Sequence, residues 1–209
     1  MPDPLFPRRT WPTEEPWSFK ARLAEPMRPA LRGESEPEPG AVVIDGRWCL
    51  VVEGAGAPLQ TAADDLCRFL AEVGITLNQR TPEADEPYFL LSTSGEEPDE
   101  GYCLSVKEKA IIVTSASARG VLQGVYALEN MMAEAGGAWL AAGTVTRCPF
   151  LKTRILRSFW STYYVDELTT AEDYYPDGYL ETLSRLGING IWIHGYLRDL
   201  VPSTVFLEF

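Results

Sequence analysis

Arg154, Arg157, His194 and Asp199 are the side chains best placed, by type and spacing, to hold or act on a polar ligand. A guanidinium presents parallel N–H donors in a rigid fork, a geometry suited to two oxygens a few ångströms apart and one that lysine cannot reproduce. His194 is the single histidine of the chain, and imidazole is the side chain whose ordinary titration lies nearest neutrality. General acid–base cleavage of a bond needs positioned proton donors and acceptors, most simply a pair of carboxyl groups. The adjacent pairs Asp64-Asp65, Glu96-Glu97 and Asp166-Glu167 fall on a helix face or in loops and read as solvated surface, so no catalytic residue is assigned. Trp160, Tyr163, Tyr164, Tyr174 and Tyr175 lie between Arg157 and His194, where they can stack on an apolar ring face or close as an apolar lid.

The elements that must position these residues are legible in the spacing. Tyr179, Leu180, Leu183 and Leu186 recur at helical intervals, Gly187 stands where a left-handed cap ends a helix, and Ile188, Ile191, Trp192 and Ile193 form a short apolar run. That run suits a strand buried on both faces. Residues 148–160 supply a preceding strand, and the order strand, helix, strand implies a crossover and a parallel pair. The C-terminal third is thus expected to open a β/α barrel or a doubly wound sheet. A barrel needs eight strands and roughly 250 residues, so the chain holds an incomplete one. Arg154 lies on its first strand, Arg157 faces the other way by the period of two, and His194 ends the second strand with Asp199 beyond it.

Ahead of this, residues 1–40 are proline-rich with interspersed arginines and form an arm without regular structure, either disordered or laid across another surface, the second favoured by Trp11, Trp17 and Phe19. Residues 34–40 read as a solvated acidic linker. Two β-branched runs around Asp45-Gly46 predict a hairpin over 41–53, or one bulged strand. A helix over 58–73 carries Leu59, Ala62, Leu66, Phe69 and Val73 on one face and stops at Gly74. Strands follow at 75–79 and 88–92, then a strand–turn–strand over 102–114. Ser117 caps a helix with Val121, Val125, Leu128 and Met132 in one stripe, ending at Gly136. Gly120 and Gly124 on one side of it imply close packing on the sheet. Residues 139–145 add an edge strand. The fold class is α+β, an antiparallel or mixed sheet of about five strands with two helices on one face, followed by the first β/α/β elements of an incomplete TIM barrel. The division is 1–40, 41–146 and 147–209, with the boundary between Gly143 and Pro149.

Composition excludes several classes. The chain has 209 residues, 45% of them apolar, with 18 basic against 30 acidic side chains and a net charge of −12. That charge argues against nucleic acid and other polyanions. No window approaches the length of a membrane span, and the first residues lack an uninterrupted apolar core of a leader, so a cytoplasmic location is expected. Cys49, Cys67, Cys103 and Cys148 are far apart and read as buried free thiols, with no zinc spacing and no metal or cofactor implied.

The phrase GYCLSVKEKAIIVTSASARGVLQGVYALENMM resembles the end of the non-catalytic domain that precedes the barrel in family 20 glycoside hydrolases, the β-N-acetylhexosaminidases. Pro149, Phe150 and Arg154 match the family's P-x-F-x-x-R-G on the first barrel strand, with Ile155 in place of the glycine. Asn189 and His194 match its second-strand pattern of an Asn followed five residues later by a His. Where the family has an aspartate after the strand-one arginine, Arg157, Ser158 and Phe159 stand here. The α-glucuronidases have a similar preceding domain and a phrase like Gly187-Ile188-Asn189-Gly190. The similarity covers roughly residues 41–199.

The resemblance implies an N-terminal portion of a glycoside hydrolase for N-acetylhexosamine-type glycosides. It places Arg154 and His194 around a carbohydrate and the catalytic Asp-Glu pair downstream of Phe209, and Asp199, a loop carboxylate near the barrel rim, is a further candidate for the carbohydrate. The chain alone is then inactive, and the apolar faces of its unfinished barrel favour self-association. A non-catalytic interaction module and a fragment of an α-glucuronidase-like barrel hydrolase are the alternatives.

Overall fold

Alternation of apolar residues along the central strands, and i, i+4 stripes along two long helices, build a sheet covered on one face. A computed structural model describes residues 18–33, 35–161 and 166–195. Among these the elements are α1 (Phe19–Leu23), β1 (Val42–Val43), β2 (Cys49–Glu53), α2 (Ala57–Ala71), β3 (Asn78–Gln79), β4 (Tyr88–Ser92), β5 (Tyr102–Lys107), β6 (Ala110–Thr114), α3 (Ala118–Ala135), β7 (Trp139–Leu140), β8 (Gly143–Arg147), β9 (Ile155–Arg157), α4 (Asp177–Arg185) and β10 (Gly190–Trp192). They fall into two compact units, one of residues 28–157 and 183–192, the other of 1–27, 158–182 and 193–209.

In the first unit a mixed sheet runs in the order β3-β2-β4-β6-β5-β8. Strands β3, β2, β4 and β6 are parallel, and β5 is antiparallel to β6 and to β8. Phe89 pairs with Ile111, Leu91 with Val113, and Val113 with Leu104, so one face of the sheet is continuous and apolar. Leu59, Leu66 and Leu70 of α2 and Val121, Val125, Leu128 and Met132 of α3 bury against it in a single core. Ser117 caps α3 as expected, its hydroxyl accepting from Gly120 N at 3.0 Å, and Gly136 closes it at φ +76°.

Three expectations are corrected here. No hairpin forms around Asp45-Gly46: β1 pairs with β7, while β2 joins the large sheet. The carboxylate of Asp45 instead folds back on Arg47, accepting from its backbone N at 2.9 Å and its Nη2 at 2.7 Å. The interaction lowers the Asp45 pKa, and the bend sends the chain from one sheet to the other. The edge strand expected over 139–145 forms with other bounds, because residues 139–147 split, β7 pairing with β1 and β8 taking the edge beside β5. Part of the segment expected to be arm and linker packs into the same unit, where Leu31 is buried and its N–H donates to Glu72 Oε2 at 3.0 Å.

The strand–helix–strand prediction for the C-terminal third holds as connectivity. β9 and β10 are parallel, α4 lies between them in sequence, and Gly187 follows the helix at φ +80°. Burial on both faces does not hold, because among the described residues β9 and β10 form a sheet of two, leaving Ile155 and Trp192 exposed. In the other unit Phe19 packs on Phe159 and Trp160 at centroid distances of 5.4 and 5.7 Å, which gives the proline-rich arm its attachment there. Trp11 and Trp17 lie outside the described residues.

Candidate functional site

Arg154 precedes β9, and its environment is built by three other segments. Its Nε donates to the Gly187 carbonyl, Nη1 to the Leu151 carbonyl at 2.5 Å, and Nη2 to Glu100 Oε2. A guanidinium carries five N–H donors, so these three bonds leave two. Glu100 also accepts from Arg119 Nε at 2.6 Å and from Asn189 Nδ2 at 3.3 Å, which makes it the shared acceptor of the cluster. Asn189 locks the start of the parallel pair from both sides: its Oδ1 accepts from Arg154 N at 2.8 Å and its Nδ2 donates to the Lys152 carbonyl at 2.7 Å. That double role accounts for an asparagine at this point of the Gly187–Gly190 phrase.

The Arg154 side chain opens on a pocket of about 320 Å³ lined by Glu100, Tyr102, Gln123, Arg147, Cys148, Pro149, Leu186 and Gly187. Burial raises the Tyr102 hydroxyl pKa, and the nearby Arg147 partly offsets this. The pocket holds cations, an amide and one shared carboxylate, a lining that can bind hydroxyl or carboxylate oxygens and has no paired carboxyl groups for bond cleavage. Neither sequence spacing nor motif pointed to Glu100; only its contact with Arg154 identifies it.

The other candidates lie elsewhere. Arg157 stacks on the Trp192 ring, 4.6 Å from its centroid. His194 belongs to the second compact unit, where its carbonyl accepts from Glu167 N at 2.8 Å. Asp199, Tyr163 and Tyr164 fall outside the described residues. Trp160 is buried within a ring cluster, 6.1 Å from Tyr174 and 5.6 Å from Tyr179, so it packs rather than offering a free face.

Two of the acidic pairs expected to be solvated are partly buried. Asp166 is enclosed and its Oδ1 accepts from Leu168 N at 3.0 Å, an ordinary turn closure. Asp65 is buried on α2 in an ion pair with Arg185, which also binds Glu129 of α3. Burial raises the Glu129 pKa, and the bond to Arg185 offsets this only in part. Of the thiols, Cys49 is buried while Cys148 is exposed, against the expectation that all four are inside. Among the described residues no cluster of His, Cys, Asp and Glu could hold a metal ion, and no helix is long and apolar enough to cross a membrane.

Residues 29–146 match the family model described as glycosyl hydrolase family 20, domain 2. No curated protein matches the chain. Among solved structures it is similar to a β-N-acetylhexosaminidase from Bacteroides fragilis, with 17% identity and a TM-score of 0.54, over 73% of this chain and 29% of that one. A family 20 exo-β-N-acetylglucosaminidase from Vibrio harveyi, in complex with N-acetylglucosamine, aligns with 15% identity and a TM-score of 0.52, over 80% and 25%. A family 115 4-O-methyl-α-glucuronidase specific for decorated arabinogalactans aligns with 14% identity and a TM-score of 0.50, over 71% and 25%. The chain thus spans between a quarter and three-tenths of the length of these structures, and at such identities they speak for the fold.

Proposed function

The chain belongs to glycosyl hydrolase family 20 through its domain 2, and from that premise we propose that it is the N-terminal portion of a glycoside hydrolase acting on N-acetylhexosamine-type glycosides. The observation that carries this is the order of parts: a family 20 domain 2 over 29–146, followed at once by a parallel β–α–β unit. In this proposal residues 41–146 are the non-catalytic domain, residues 147–209 begin the catalytic barrel, and residues 1–40 are an arm. Arg154 holds the sugar with the two donors its protein partners leave, and His194 and Asp199 are further candidate sugar contacts. Cleavage would proceed through the substrate's own acetamide oxygen, the exception to the two-carboxylate scheme, with the proton donor supplied by chain outside these residues. The net charge and the free thiols support a cytoplasmic location, which cell fractionation checks.

The test is to follow the reading frame to its natural stop codon and assay the product on nitrophenyl N-acetyl-β-glucosaminide and nitrophenyl α-glucuronide, beside the 209-residue chain. We expect turnover of the N-acetylglucosaminide by the longer protein and a rate equal to buffer for the 209 residues alone. Turnover of the glucuronide instead would favour the second reading, which has in its support the fold shared with the α-glucuronidase structure. A frame that stops at Phe209 with no turnover would make the chain an interaction module.

A further inference from the structure

Asp65 on α2 and Glu129 on α3 are acidic residues buried on otherwise apolar helix faces, and the cation that meets both comes from the last turn of α4. Arg185 Nη1 donates to Glu129 Oε2 at 2.6 Å and Nη2 to Asp65 Oδ2 at 3.2 Å. Its guanidinium lies 4.3 Å from the centroid of the Tyr126 ring. The three charged side chains are 8, 5 and 1% exposed, so solvent screens them little. Nearby, Gln123 Nε2 donates to the carbonyl of Ser184 at 2.9 Å. Asp65 is also paired with Arg68 of its own helix, while Arg185 bonds both carboxylates; two such groups on neighbouring helices repel each other unless a cation stands between them, and apolar residues would have filled the same space at lower cost. The arrangement therefore has its use in specifying what docks there.

We infer that Arg185 is the positioning residue that docks the last turn of α4, and with it β10, on α2 and α3, so that the cooperative folding unit continues past residue 146 into 183–192. Only one turn, closed by Gly187, separates Arg185 from β10, and among the described residues β10 has β9 as its one strand partner. Fixing the end of the helix therefore fixes the strand. This inference needs the fold alone and stands whether or not the glycosidase proposal survives.

The test is hydrogen exchange on the 209-residue chain, comparing wild type with Arg185→Met, Glu129→Gln and the double variant. Breaking a buried pair from one side is strongly destabilising, so Arg185→Met should lower Tm by about 10 °C. Exchange over 188–193 should rise by about a hundredfold, while 88–92 and 110–114 keep most of their protection. Glu129→Gln, which retains an acceptor, should give a smaller change in the same segment and keeps the test open if the arginine variant does not fold. The effects of the two single changes should not add in the double variant, because they act on one interaction. Protection lost evenly along the chain, an unchanged 188–193 segment, or additive effects would overturn the inference.

Discussion

Arg154 is bound to its own protein at three of five donors, with a side chain 17% exposed and held by Glu100. The geometry shows Arg154 bracing the start of β9, and the proposed function adds a second role, presenting the remaining donors to a pair of sugar hydroxyls. Exchange for lysine separates them. In the longer protein that the proposed function calls for, loss of a charged, forked donor to substrate should cost about 1.5 to 3 kcal/mol, or about ten- to a hundredfold in kcat/KM. Loss of the brace alone should lower Tm and leave the kinetics of the folded enzyme unchanged. We expect Arg154→Lys to lower both; intact kcat/KM with a lowered melting point would remove Arg154 from the binding site.

At the level of elements, the packing of α3 on the sheet depends on having no side chain at two points. A Cβ at Gly120 would sit on Ser115 Oγ and the Gly101 carbonyl oxygen, and one at Gly124 on Val113 Cγ1. Ser115 cannot yield easily, since its buried hydroxyl donates to Gly101 O at 2.6 Å and accepts from Ser117 N at 3.1 Å. Alanine in a helix interior would ordinarily gain about 1 kcal/mol over glycine. Here overpacking against backbone should outweigh it, so Gly120→Ala should lower unfolding stability by about 1 to 3 kcal/mol in urea titration. A stabilised variant would mean that the helix stands off the sheet.

For the whole molecule, the contrast lies between a closed layer domain and an open strand pair. The core built from residues 31–140 is complete, with helices over the apolar face of the sheet, whereas Phe150 is 97% and Leu186 72% exposed beside the two strands β9 and β10. Contiguous exposed apolar surface drives association. Residues 29–146 expressed alone should therefore fold cooperatively by circular dichroism and remain monomeric by light scattering. They should melt lower than in the longer chain, because Asp65 and Glu129 would lack Arg185. The 209-residue chain should form dimers or larger species under the same conditions. An unfolded spectrum for 29–146 would undo the division into domains, and a monomeric 209-residue chain would mean that the strand pair is covered.

The sequence by itself determined the elements whose signals are local. The stripes of α2 and α3, the Ser117 cap, the turn between β5 and β6 and the glycine stop of α4 all arise from side chains within a few residues of one another. The family was legible for the same reason, as a run of such elements in a fixed order. Partnership across the chain was decided only by the tertiary structure. The Asp45-Gly46 signal is a true turn, yet β1 and β2 take separate partners about 30 to 100 residues away, because a strand pairs wherever its hydrogen bonds and apolar face are best satisfied. Asp65 and Glu129 stood on apolar stripes in plain view, but a buried carboxylate is intelligible only with its cation, and Arg185 lies 120 and 56 residues away. Glu100, the acceptor shared by Arg154, Arg119 and Asn189, carried no motif, since its role comes from where three distant donors converge.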